Sequence, residues 1–253
     1  LKITSKLATS KTPDGGLMEL FQHDNNFFIN INGDTLMDSR AYESELALAR
    51  LGCLHLINEE KPKVLIGGLG LGYTLRQCLD MVGPNASVIV CELMDAVIEW
   101  NNKYIGALAD YPLSDKRTII QCGDIVEYLT NTHEQFDAIL LDIDNGPVAM
   151  TDSGNSRLYD WDGIFMCQGA LKKRGCLAVW SSDSSGRYER DLLKADFSVK
   201  RYLSPSHKNT KSCKHVIWVA SEDKSLLPPD GKAPIPKKHK KNRKRNKKWN
   251  NPF

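Results

Sequence analysis

Val64-Leu65-Ile66-Gly67-Gly68-Leu69-Gly70-Leu71-Gly72 decides how the rest of the chain is read. Three apolar residues make a short buried strand, the glycines after them make a turn, and Tyr73–Met81 has helix composition. A strand that passes through a glycine turn into a helix is the setting of a nucleotide site. Only glycine lets the backbone bend sharply and approach a ligand with no Cβ in the way. The spacing Gly68-x-Gly70-x-Gly72 is not the dinucleotide pattern Gly-x-Gly-x-x-Gly. No Gly-Lys-Ser/Thr follows, so it is not a phosphate loop either.

Downstream, apolar strands alternate with helices. Ser87–Glu92, Thr118–Cys122, residues 136–142 and residues 176–181 read as strands. The intervening helices fall at residues 94–103, 125–129, 161–172 and 188–194. Continuous apolar strands between helices predict a parallel sheet covered on both faces. Two last strands, residues 198–203 and 215–220, are joined by a polar loop too short for a crossover helix, which predicts an antiparallel pair.

Upstream, residues 16–21 and 27–31 flank His23-Asp24-Asn25-Asn26 as a β-hairpin, with a second turn at Asn32-Gly33-Asp34. Residues 39–58 carry helix formers at helical spacing and predict one helix. The expected fold class is α/β, a seven-stranded mostly parallel sheet closed by an antiparallel pair. The expected units are a hairpin domain (1–37), the cofactor-binding domain with its leading helix (38–222) and a disordered basic tail (223–253).

The tail is a matter of charge. The 253 residues sum to +3, but residues 223–253 carry +9, leaving −6 on the rest. Residues 237–248 hold nine Lys/Arg in twelve positions, a block that repels itself and has almost nothing to bury. It suits a nucleic acid or another polyanion, and equally a solubilising role. No apolar run approaches the ~20 residues of a membrane helix. Residues 1–6 lack the apolar stretch of a secretory signal, so a cytoplasmic protein with no membrane partner is expected. The seven cysteines form no Cys-x-x-Cys pair and the six histidines are scattered, so buried thiols and no metal are expected.

Three strand ends carry candidate ligand groups. Gly67, Gly68, Gly70 and Gly72 form the turn. Glu92 ends the next strand 20 residues past Gly72, about where an acid that accepts ribose hydroxyls is expected. Asp124 follows the third strand, where a carboxylate receives an adenine amino group or caps the following helix. At the fourth strand end stands Asp142-Ile143-Asp144-Asn145-Gly146-Pro147, with two carboxylates on one side if the strand continues. The polar loop from there to Tyr159 has the length of a lid, and Trp161 beyond it is a candidate wall of the substrate site.

With these motifs the chain resembles the spermidine synthase family over residues 12–220. The hairpin followed by Asp38-x-x-x-Tyr42 on a helix looks like that family's small β-domain and its Asp-Glu-x-x-Tyr segment. The resemblance implies a Rossmann-like fold and an S-adenosylmethionine-type cofactor. It also implies aminopropyl transfer from decarboxylated S-adenosylmethionine to a small amine. Asp142 would be the residue that activates the amine, Tyr42 the tyrosine beside it, and Asp144, Glu45 and Asn145 its further contacts. Glu92 and Asp124 would hold ribose and adenine. Relatives are often dimers, which makes a homodimer the expected assembly.

The departures are specific. Gly70 stands where the family has an aspartate for the donor's ammonium tail, Asn145 where it has the second aspartate of Asp-x-x-Asp-Pro, and Ser44 where it has a glutamate. Two alternatives therefore stay open. One is a methyltransferase using intact S-adenosylmethionine, which a neutral Gly70 favours. The other is a non-catalytic nucleic-acid-binding protein acting through the basic tail.

Overall fold

The strand β5 (Lys63–Gly67) at the centre of the molecule is buried on both faces, and its alternation sorts the core. Val64 and Ile66 face one hydrophobic cluster, Leu65 the other. The same division runs through its neighbour β8 (Phe136–Leu141), where Ala138 and Leu140 oppose Ile139 and Leu141. The computed structural model describes residues 4–143, 157–208 and 213–233.

Seven strands form the main sheet. β6 (Ser87–Glu92) and β7 (Thr118–Cys122) extend it from β5 on one side. On the other lie β8, β9 (Leu171–Ser181), β11 (Cys213–Ser221) and, at the edge, β10 (Ser198–Pro205). The order is β10-β11-β9-β8-β5-β6-β7, and β11 is antiparallel to both of its neighbours. All other pairings in this sheet are parallel. The mostly parallel sheet with a reversed strand near its end is the architecture expected.

One cluster packs under α1 (Glu43–Cys53), α2 (Tyr73–Met81) and α3 (Asp95–Trp100). The other packs under α4 (Ile125–Thr130), α5 (Trp161–Ala170) and α6 (Gly186–Lys194). In α1, Leu48, Ala49, Gly52 and Cys53 make the buried stripe. A Cβ on Gly52 would lie 2.2 Å from Leu140 Cδ2 and 2.9 Å from Ala178 Cβ, so α1 rests directly on β8 and β9.

Several expectations are corrected. The hairpin is part of a four-stranded antiparallel sheet, β1 (Thr4–Lys11), β2 (Leu17–His23), β3 (Asn26–Ile31) and β4 (Asp34–Asp38). Met18, Leu20 and Ile29 join it to the core beside α1. The helix expected from residue 39 begins at Glu43. Asp38 ends β4 and pairs with Arg40, and the Ser39 hydroxyl accepts from the Phe27 amide, which holds the intervening residues to the small sheet. Asp38 and Tyr42 therefore do not share a helix.

The helix expected over residues 94–103 stops at Trp100 and continues as a wide π-type turn over Asn101–Ile105. The Asn101 amide donates 2.9 Å bonds to Val97 O and to Gly70 O of the glycine turn. Wide turns of this kind recur at functional sites. Cys122 is exposed rather than buried. Residues 224–233, expected in the tail, pack against β10. Leu227 is buried, Pro228 O accepts from Lys200 and Tyr202, and Lys232 exchanges backbone bonds with Arg201.

Candidate active site

The carboxyl ends of β5, β6 and β8 are stitched together around the glycine turn. Gly68 N donates to Cys91 O at the end of β6, and Asp142 N donates to Gly67 O, both at 2.9 Å. Gly68 has φ +89°, and a Cβ there would lie 2.3 Å from the Asp142 carbonyl oxygen. Any side chain at this position would force the turn and the end of β8 apart. Gly67 is also a point of close approach, to Ile125, Ile143 and Leu141. Gly72 is the left-handed residue from which α2 starts.

Glu92 is buried at the tip of β6 and fixed by two backbone amides. Leu69 N, inside the glycine turn, donates to Oε2 at 2.9 Å, and Met94 N donates to Oε1 at 2.8 Å. A carboxylate accepts through two lone pairs on each oxygen, the kind of group that binds a diol. Asp124, one strand further along, caps α4 by accepting from Val126 N at 2.8 Å, and Arg157 lies 3.4 Å from its other oxygen. It follows Gly123, whose amide is bonded to Glu92 O.

A second group of side chains lies where α1 and α2 begin. Asp142 accepts from the Thr74 hydroxyl at 2.5 Å. Thr74 also lies 3.4 Å from the Glu45 carbonyl oxygen, which ties the first turn of α1 to the first turn of α2. Burial pushes Asp142 up to about 6, with the Thr74 bond pulling the other way. Burial pushes Glu45 up to about 8, and the negative charge of Asp142 adds to this. Glu45 and Asp142, both half-buried, thus lie near enough for their charges to repel. An ammonium group would replace the proton they otherwise hold.

Tyr42, immediately before α1, stacks on Tyr73 with ring centroids 4.6 Å apart, and the Tyr73 hydroxyl donates to Ser39 O. The Ser44 hydroxyl donates to Glu45 Oε2 at 2.8 Å and lies 2.9 Å from His215 Nδ1.

The structure therefore gathers the glycine turn, Glu92 and Asp142 at one sheet edge, with Glu45 and Tyr42 entering from α1. It places Trp161 apart from these, exposed at the start of α5, edge-on to Phe165 and with Lys194 of α6 over its ring. Asp144 and Asn145 lie outside the described residues. Sequence reasoning missed Thr74, Ser44, Tyr73 and His215. Thr74 carried a signal, since a hydroxyl two residues past the last glycine of such a turn is aimed at the neighbouring strand end.

A family model described as the spermine/spermidine synthase domain matches residues 45–202, more than half of the chain. A polyamine aminopropyltransferase of Saccharolobus islandicus is 28% identical over 151 residues, covering 60% of this chain and 48% of that protein. One of Prochlorococcus marinus is 31% identical over 150 residues, covering 58% and 49%. The chain spans about half the length of the curated relatives it matches. A crystal structure of spermidine synthase in complex with the transition state analogue AdoDATO aligns with a TM-score of 0.67 at 19% identity. It covers 88% of this chain and 76% of that one. At that identity the likeness concerns the fold, and the matching seven-stranded sheet and small antiparallel sheet agree with it. By its family match, this chain belongs to the spermine/spermidine synthase family.

Proposed function

We propose that the protein is an aminopropyltransferase, moving an aminopropyl group from decarboxylated S-adenosylmethionine to the primary amine of a small polyamine. The observation that carries this reading is the Glu45–Asp142 carboxylate pair next to a nucleoside-type glycine turn. The donor supplies a methylene made electrophilic by its sulfonium. The protein's part is to hold the nucleoside and to prepare the amine.

The residues present fit that donor. Glu92 is preset by two amides, and Asp124 stands at the next strand end. Gly68 lets the turn close directly onto the end of β8 beside Asp142. On the amine side, Asp142 takes a proton from the attacking nitrogen, and Glu45 balances the remaining positive charge. Tyr42, held flat by Tyr73, borders the amine, and the family likeness alone assigns Asp144 and Asn145 to it.

One observation favours a second reading. Gly70 bears no carboxylate, and its neighbour is the Met37 thioether, 3.3 Å from where a Cβ would be. An uncharged tail subsite suits intact S-adenosylmethionine and hence methyl transfer. Incubation with each donor and a panel of diamines tests both readings. Release of methylthioadenosine supports aminopropyl transfer, release of S-adenosylhomocysteine supports methylation, and neither product refutes both.

A homodimer and a polyanion bound to the basic stretch are further partner proposals. The first draws on the family likeness and the second on charge alone. No helix among the described residues is long and apolar enough to cross a membrane. The free cysteines Cys53, Cys78, Cys91, Cys122, Cys167 and Cys176 support a reducing, cytoplasmic setting.

A further inference from the structure

The two sheets have four edge strands, and three of these are guarded. β10 carries Lys200 and Arg201, ends in Pro205 and is covered in part where Lys232 exchanges backbone bonds with Arg201. β1 carries Lys6 and Lys11 and breaks register between Lys6 and Ala8. β4 is bounded by Asp34 and Asp38, and its register against β3 also shifts. Charges, prolines and bulges keep a further strand from adding to an edge. β7 has none of them. Thr118-Ile119-Ile120-Gln121-Cys122 is uncharged, pairs with β6 in unbroken register and has no strand on its other side among the described residues. Ile119 is 49% exposed and Ile120 40%. They stand on opposite faces, Ile120 in line with Val90 and Ile119 with Ile89.

The hydrogen-bond phase of β7 defines what fits beside it. Val88 N donates to Arg117 O, and Gly123 N donates to Glu92 O. The odd-numbered residues of this stretch therefore turn their peptide groups toward β6, and those of Thr118, Ile120 and Cys122 point outward. Thr118 N is already bonded to Asp115 O. Thr118 O, Ile120 N, Ile120 O and Cys122 N remain. An antiparallel copy of the same strand, related by a two-fold axis beside Ile120, satisfies all of them. The two Ile120 residues exchange N–H···O bonds, and each Cys122 N meets the partner's Thr118 O. The charges are complementary too. Exposed Lys116 precedes the strand, while Asp95, Asp124 and Glu127 gather at its end, where Asp95 accepts from the Cys122 thiol. Reversal lays the basic start of one strand beside the acidic end of the other.

We propose that a second copy of this chain docks on β7, the two seven-stranded sheets joining edge to edge across a two-fold axis at Ile120. The inference concerns assembly and does not depend on the aminopropyltransferase reading. A second copy is the occupant because the patch is self-complementary: every outward donor finds an outward acceptor on the same strand of the partner, as a two-fold interface requires. On the face of α3, Ile120 packs against the partner's Ile120. On the face of α4, Ile119 lies opposite the partner's Gln121.

Analytical ultracentrifugation of the full chain over a concentration series is the test. The wild type should dimerise reversibly. Ile120→Pro removes an outward N–H, and Ile120→Lys sets like charges face to face across the axis. Each should raise the dimer dissociation constant roughly 10- to 100-fold. Far-ultraviolet circular dichroism should stay unchanged, since the lost N–H is not used within one copy. Cysteine pairs read the register. In a Cys122→Ser background, Ile120→Cys should give a disulfide-linked dimer with oxidised glutathione that Cys122→Ser alone does not, because directly opposed Cα atoms lie about 5.5 Å apart. Gln121→Cys should give none. A wild type that stays monomeric, a dimer that both Ile120 variants leave intact, or cross-linking through residue 121 and not 120 overturns the proposal. So does protection of the Ile120 amide from hydrogen exchange in a monomer, which would place a segment of the same chain on this edge.

Discussion

Thr74, on the first turn of α2, donates its hydroxyl to Asp142 at the end of β8 across 2.5 Å. This bond favours the ionised carboxylate and opposes the burial that raises it. Thr74→Val should leave Asp142 protonated to higher pH. The acid limb of the kcat profile should therefore move alkaline, with a loss of roughly tenfold at pH 7 that shrinks above pH 8. Asp142→Asn should cost roughly 10²–10⁴ in kcat at all pH values. Methylthioadenosine release, followed by chromatography, reads both.

Stability should fall as pH rises through the neutral range. Glu45 in the folded protein ionises at about 8 against an ordinary 4.5, and Asp142 at about 6 against 3.8. Between each pair of values the unfolded chain has lost the proton and the folded one keeps it. The folded state therefore binds more protons, and raising pH favours unfolding. The protein alone should melt higher at pH 5 than at pH 8.5, by an amount on the order of 5 °C, given about 2–4 °C per kcal/mol for a chain of this size. Glu45→Gln should flatten the trend, and a saturating diamine should reverse it. Calorimetric scans across pH check all three.

Glu92→Gln keeps one acceptor oxygen for the turn amides but loses the charge. Hydrogen bonds to a charged group are worth about 1.5–3 kcal/mol, so affinity for methylthioadenosine should fall by roughly 10- to 100-fold. One of the two backbone amides would then face an NH2 group, so the melting temperature should fall by a few degrees, at about 2–4 °C per kcal/mol. Isothermal titration distinguishes this from a protein that has lost its fold.

Gly70→Asp is the substitution that should sort the two donors. Gly70 has φ +52°, a conformation that aspartate tolerates better than most residues. The atom nearest a new Cβ is the flexible end of Met37. The variant, combined with Met37→Ala to make room, should bind decarboxylated S-adenosylmethionine more tightly. Intact S-adenosylmethionine should bind roughly tenfold less tightly, by like-charge repulsion. Competition against a bound nucleoside measures both.

The central sheet was readable in the sequence because its strands are short apolar runs punctuated by glycine, and the glycine turn and Glu92 came with it. β1 was not readable, since Thr4–Lys11 is mostly polar and half-exposed and gains its place only by pairing with β2. Residues 39–42 looked helical by composition, but the Asp38–Arg40 pair and the bond from the Phe27 amide to Ser39 override propensity there. Glu45 was readable as an amine contact only through likeness to a family. Its neighbour Ser44 lies 2.9 Å from His215, which stands 171 positions away, and no local pattern links them. A histidine assessed only for zinc spacing reads as scattered, while the same residue at the start of a reversed strand meets the Ser44 hydroxyl of α1.

Gly52 sets how closely α1 lies against β8 and β9. It sits two turns along α1 from Glu45, on the stripe that lies flat against Leu140 and Ala178. A methyl group there would have nowhere to go but outward, tilting the whole rod and withdrawing its leading carboxylate from Asp142. The distance from the leading carboxylate of α1 to Asp142 thus depends on a missing side chain some 10 Å away, by helical rise. If that carboxylate holds an amine, as proposed, enlarging the residue would change which amines fit.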